Sequence, residues 1–193
     1  MGIKVMAPDK NTYSLSPDYT VIIHGTSNIH KWDEKVGTVT GNCVINWNKD
    51  GSFDLDSIKI KMNVRSIKSD KGPVMDNNTY KALKADANPE IIFTLLVPVK
   101  TLQAKTIQKT VTAKGNFTIA GITRPVVMQV KIGMQGSGKL SIGGLQTIKM
   151  TDYGIEPPTA FFGTLKTGNE IIIDFKINFM IPAALTSDTS SNL

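Results

Sequence analysis

The chain has 193 residues, 40% hydrophobic and 20% charged, which suits one globular domain large enough to bury a core without metal or disulfide staples. Lysine and arginine number 22 against 16 acidic residues, a formal charge of +6, but the basic residues are scattered and form neither a run of like charge nor an arginine-rich arm. That argues against a nucleic-acid-binding arm and reads as a solvated basic surface with weak attraction for anionic surfaces. A lone cysteine, Cys43, has no internal disulfide partner and lies in an apolar alternation, as a small core residue does. No segment approaches the roughly eighteen apolar residues of a membrane-spanning helix, and Met1-Gly2-Ile3-Lys4 has no apolar signal-peptide core.

From the N-terminus onward the dominant signal is alternation with period two, broken by turn residues. Residues 19–26 (YTVIIHGT) are rich in β-branched types. Residues 36–47 set Val39, Cys43, Ile45 and Trp47 on one face, before the turn Asn48-Lys49-Asp50-Gly51. Residues 54–65 set Ile58, Ile60, Met62 and Val64 opposite Lys59, Lys61, Asn63 and Arg65, the pattern of a half-buried strand. Residues 74–87 break the alternation. Met75, Thr79, Ala82 and Leu83 fall at helical spacing, with Asp76 or Asn77 as candidate cap, and predict one short helix.

Strands are predicted again at 90–98 (Ile91, Phe93, Leu95, Val97) and 107–119 (Val111, Ala113, Gly115, Phe117, Ile119). The turn at Ala120-Gly121 leads into 125–134 (Val126, Met128, Val130, Ile132, Met134). Residues 139–150 (Leu140, Ile142, Gly144, Ile148) and 169–181 (Ile171, Ile173, Phe175, Ile177, Phe179) complete the set. An irregular stretch at 151–168 separates the last two, and a tail follows Pro182. Eight strands with short connections predict an all-β fold, an extended antiparallel up-and-down barrel with one short helix near one end. A two-sheet sandwich is the alternative. The expected organisation is one domain over 1–182 and a flexible tail at 183–193.

Strand length narrows the reading. Strands of about eleven residues span about 35 Å at roughly 3.3 Å per residue, which makes a tall, narrow tube when tilted. Such a tube suits a long thin apolar guest. Met62, Met128, Met134 and Met150 are adaptable lining, and Gly115 and Gly144 leave space mid-strand. The same residues serve equally well as packed core.

Reactive constellations are sparse. His24 and His30 accompany Asp33 and Glu34 in HGTSNIHKWDE, but the spacing forces no shared metal site. Ser27 near His30 lacks a nucleophile elbow, and no phosphate-binding loop is present. The aromatics fall on apolar faces, unlike a nucleic-acid platform. The triplets Asn77-Asn78-Thr79 and Asn116-Phe117-Thr118 match the glycosylation pattern, but the second lies inside a strand and chance accounts for them better.

Four stretches in order, GTSNIHKW (25–32), MDNNTYKALKADANPEIIF (75–93), GNFTIAGITRPV (115–126) and TDYGI (151–155), resemble the signatures of the YceI-like family of lipocalin-like, polyisoprenoid-binding bacterial proteins. The resemblance runs from about Tyr19 to Phe179. Asn88 stands where many members have tyrosine. The resemblance implies an eight-stranded barrel whose internal channel holds an isoprenoid-tailed or similar amphiphile, for binding, transport or storage. It also implies export to the periplasm or secretion, and dimers in some members.

The ligand-binding residues expected from alternation are Ile58, Ile60, Met62, Val64, Phe93, Leu95, Phe117, Met128, Val130, Ile142 and Phe175, with Phe161 and Phe162 at a mouth. The expected partner is a long-chain isoprenoid or similar lipid. Peripheral membrane contact and a homodimer are compatible with it. No nucleic acid, cofactor or metal is expected. The rival readings are a fully packed barrel acting in protein interaction, and an enzyme acting on an amphiphile through His24, His30 or Asp152.

Overall fold

The structure, a computed structural model, describes residues 11–104, 108–135, 138–160 and 163–181. The strands are β1 (Thr12–Leu15), β2 (Thr20–Thr26), β3 (Lys31–Val36), β4 (Val39–Trp47), β5 (Ser52–Asn63), β6 (Ile67–Ser69), β7 (Glu90–Leu95), β8 (Val99–Gln103), β9 (Lys109–Ile119), β10 (Ile122–Gln135), β11 (Lys139–Lys149), β12 (Thr159–Ala160), β13 (Leu165–Lys166) and β14 (Glu170–Met180). One helix, α1 (Pro73–Ala82), joins β6 to β7.

The strands make eight antiparallel staves that close on themselves. β1 and β2 form one stave interrupted near Pro17; β3 and β4 form the next; β5 runs on into β6 through a single 3-10 turn at Val64–Ser66. β7 continues as β8, and β9, β10, β11 and β14 follow as unbroken neighbours. Closure comes from β14, which pairs with β1 at one end and β2 at the other. A closed ladder leaves few free edges, as expected of a barrel.

Three local features shape the tube. A bulge sets Val44 opposite Ser57 but Ile45 opposite Leu55. The extra residue, Asp56, switches the inward parity of β5, so both Leu55 and Ile58 face the core. Ala120 and Gly121 both have positive φ, 49° and 82°, and make the two-residue turn between β9 and β10. At the helix end, β6 pairs only with β3, and α1 occupies the gap between β6 and β7. Tyr80 donates its hydroxyl to the carbonyls of Arg65 (2.8 Å) and Ile67 (2.9 Å), which ties α1 to that gap.

Several sequence-based expectations are corrected. The helix starts at Pro73, pre-set for a first helical turn, and ends at Ala82 rather than 87. Asp76 does not cap it; its carboxylate accepts from the Ser69 amide (2.8 Å) and Lys68 Nζ (2.9 Å), which holds its pKa below the ordinary range. Residues 31–36 (KWDEKV), all but the last outside the predicted strands, form a strand. Trp47 sits half-exposed at the barrel end, stacked at a tilt on Phe53. The expected tail at 183–193 and the pair Phe161 and Phe162 lie outside the described residues.

Candidate functional site

The barrel encloses a two-part space. Its deep part is a narrow cavity of about 50 Å³ with a wholly apolar lining. Ile58, Ile60 and Met62 line it from β5, Phe93 and Leu95 from β7, Phe117 from β9, Met128 and Val130 from β10, Ile142 from β11 and Phe175 from β14. Ten of the expected lining residues therefore meet in one place. Val64 does not: it is buried, but in the 3-10 turn its side chain packs in the wall and lines neither space. Val21, Leu55, Val99, Ala113, Ile132, Ile173 and Ile177 complete the lining. Beyond it, Ile45, Phe53, Leu140 and Phe179 are fully buried and pack that end solid.

Gly115 and Gly144 do not leave empty lumen. A Cβ on Gly115 would lie 2.4 Å from a ring carbon of Phe93, and one on Gly144 would lie 3.2 Å from the Phe175 ring. Each glycine makes room for a neighbouring strand's aromatic ring, which is what narrows the tube. The Phe93 and Phe117 rings meet at 5.2 Å in a tilted pair, a favoured aromatic geometry. Of the expected methionines, Met62 and Met128 line the deep part and Met150 the outer one, while Met134 packs against the core outside both.

The outer part is a chamber of about 430 Å³ at the helix end, within the usual range for small-molecule sites. Ile173 lines both parts, so the spaces adjoin. The chamber is bounded by Ile23, Trp32 and Glu34 from β2 and β3, by Met75 and Thr79 from α1, and by Leu83 just after it. Ile91, Ile119 and Ile148 come from the barrel wall, and Ile155, Pro158 and Leu165 from the segment crossing above. Its rim carries the exposed residues His30, Lys71 and Val74, so the chamber meets solvent there.

Local chemistry explains how the rim is held. The Ser27 hydroxyl accepts from the His30 amide (3.1 Å) and donates to the His30 carbonyl (3.0 Å), closing the hairpin 27–30. Asn28 clasps the opposite strap: its Nδ2 donates to the Thr164 carbonyl (2.8 Å), and its Oδ1 accepts from the Lys166 amide (2.9 Å). Gly25 lets the Trp32 ring lie flat across it, since a Cβ there would fall 2.0 Å from the indole. The Trp32 Nε1 donates to the Thr26 carbonyl at 3.1 Å. Gly154, with φ 62°, ends the 3-10 turn Met150–Tyr153, and Arg124 Nε donates to the backbone carbonyl of Asp152, leaving the Asp152 carboxylate out of the turn's bonding. Asn88 rests its Oδ1 against Gly121.

The polar residues of HGTSNIHKWDE separate. His24 pairs with Asp33 through Nδ1 at 2.7 Å on the outside of the barrel, with Asp174 3.8 Å from Nε2, while His30 and Glu34 face the chamber. The four do not converge, and no cluster of three metal-ligating side chains occurs among the described residues. Glu34 is among the lining residues that the sequence reading missed. It is 2% exposed, accepts a 2.6 Å hydrogen bond from Thr79 Oγ1, and has its pKa raised by burial, with the Asp76 charge adding to the rise. Burial also pushes the Cys43 thiol well up, leaving it an inert core group.

A family model, the YceI-like domain, matches residues 13–179. No curated protein matches in sequence. Among solved structures, a polyisoprenoid binding domain from Saccharophagus degradans, implicated in plant cell wall breakdown, superposes with a TM-score of 0.67 at 12% identity, covering 88% of this chain and 98% of that one. BcnA of Burkholderia cenocepacia gives 0.59 at 15% identity over 83% and 95%. A Campylobacter jejuni YceI protein gives 0.54 at 18% over 75% and 82%. At these identities the likeness is one of fold.

Proposed function

The chain belongs to the YceI-like domain family, and from that premise we propose that it binds a long apolar or amphiphilic lipid, of polyisoprenoid type, inside the barrel. The observation behind this reading is the pairing of a narrow, wholly apolar tunnel with a wider, partly polar chamber that meets solvent. A thin tail fits the first and a head group the second. Each buried CH₂ contributes about 0.8 kcal/mol, so a prenyl tail binds without polar contacts along its length. The polyisoprenoid binding named for the Saccharophagus degradans domain agrees with this chemistry.

The protein acts as a carrier or store rather than a catalyst. In support, the Ser27 hydroxyl is spent on the His30 backbone and not on its imidazole. Loading takes place at a membrane surface, where Ile29 (68% exposed) and Val74 (76%) stand beside Lys71 at the chamber end. A homodimer forms through the outer face of β10, β11 and β14, where Val127, Leu145 and Ile172 are exposed on adjoining strands. The protein works in the periplasm or after secretion.

The test is a tail-length series. Delipidated protein titrated with prenyl alcohols of two, three and four isoprene units should bind progressively tighter. A barrel acting only as a packed interaction module would bind none of them.

A further inference from the structure

Glu34 is out of keeping with a space built for hydrocarbon. It occupies the inner face of β3 between Trp32 and Val36, both buried, where alternation calls for an apolar residue. It is itself 2% exposed, and it lines the chamber. Thr79 of α1 supplies its one hydrogen bond among the described residues, at 2.6 Å to Oε1.

The neighbouring cations are engaged elsewhere. Lys68 on β6 binds Asp76 (2.9 Å), and Lys71 reaches Asp70 (3.2 Å). Asp76, on the same helix as Thr79, adds only repulsion. From β2 the facing residue is Ile23, and from the hairpin the exposed His30 lies at the rim. Glu34 thus lines the chamber with no cation paired to it among the described residues. The carboxyl has its Thr79 hydrogen bond on Oε1, and what it presents to the chamber is available to a ligand's hydrogen-bonding atom.

We propose that Glu34 and Thr79 form a head-group site that takes an uncharged head bearing a hydroxyl or carbonyl oxygen, and that turns away a phosphorylated one. This rests on the lipid-binding reading above and adds its selectivity. A neutral carboxyl donates to a carbonyl or hydroxyl oxygen, and an ionised one accepts from a hydroxyl, so either form serves an uncharged head. A phosphate brought beside the carboxyl meets like charge, which disfavours ionisation of both together.

The probes are geranylgeraniol and geranylgeranyl monophosphate, which share a tail and differ only at the head. Delipidated wild type should bind the alcohol at least about tenfold tighter at neutral pH, a gap of about 1.4 kcal/mol. Glu34→Gln keeps the shape and removes the charge; it should narrow the gap to within about threefold by strengthening the phosphate. Glu34→Leu, which also removes the hydrogen bond, should close the gap by weakening the alcohol. Equal or tighter phosphate binding by wild type overturns the proposal, because the rim residues Lys71 and His30 would then govern the head group. An unchanged gap in Glu34→Gln overturns it as well. Folded wild type that binds neither probe overturns the lipid-binding reading itself, an outcome distinct from binding both alike.

Discussion

Ala113→Leu is the substitution that separates tail binding from chamber binding. Ala113 lines the narrow cavity opposite Met128, and leucine would send three more carbons into it. A cavity of about 50 Å³ has room for about four methylene-sized groups, taking roughly 12 Å³ for each in the same measure. Four methylenes at about 0.8 kcal/mol make about 3 kcal/mol, on the order of 100-fold in affinity. Overpacking typically costs about 1–3 kcal/mol, and pre-existing space puts the expected loss of stability at the low end. The assay is competition against a fluorescent amphiphile, with geranylgeraniol and the shorter geraniol compared in both proteins. The long alcohol should lose on the order of 100-fold and the short one, held by the chamber alone, less than about threefold. Equal losses, or none, would refute a tail seated between β5, β9 and β10.

Three further outcomes follow from local geometry. Gly25→Ala places a Cβ 2.0 Å from the Trp32 ring, so it should lower stability by about 1–3 kcal/mol in denaturant melts and shift indole emission to the red; unchanged emission would contradict the stacked geometry. Lys84, with φ 52° just past the end of α1, should gain up to about 1 kcal/mol of stability on substitution by glycine, because no Cβ then opposes the left-handed turn. Glu34→Gln should raise the apo protein's Tm at neutral pH. The raised pKa of Glu34 means that the native state holds the proton more firmly than the unfolded chain. Its favourable contribution is therefore complete below the ordinary value of 4.5 and is lost as pH rises through the folded value. The gain should fade in melts below about pH 4.5; a gain independent of pH would show that the carboxyl's ionisation is not its source.

The barrel was legible because its long strands mostly alternate apolar with polar residues. β9, β11 and β14 run eleven residues each, and β10 runs fourteen, long enough for the period-two signal to stand out despite Gly115 and Gly144 within the apolar rows. That alternation also brought ten of the expected lining residues into one tunnel. Where the physics is non-local the reading failed. Nothing in β5 announces that Asp56 will be skipped in the pairing with β4, because a bulge is a property of two strands. The glycines at 115 and 144 carry no sign that rings from neighbouring strands will cover them. β1 is four residues long and owes its place to β4 and β14 rather than to its own pattern.

Glu34 was within reach. Trp32, Glu34 and Val36 alternate with Lys31, Asp33 and Lys35, which marks Glu34 as the charged member of an inward row. The segment fell between the predicted strands 19–26 and 36–47, and so the row was not drawn. The chamber itself was beyond sequence reading, since Thr79, Glu34, Ile119 and Leu165 are far apart in the chain and come together only through the docking of α1 and the clasp of Asn28 on the strap.

The central claim is that the barrel holds a lipid tail, and native mass spectrometry of the purified protein, followed by denaturing extraction, tests it most directly. The account predicts an adduct of one lipid per chain that releases as an apolar, isoprenoid-type molecule and whose retention falls in Ala113→Leu. A clean apo mass that stays unchanged after incubation with prenyl alcohols would contradict it.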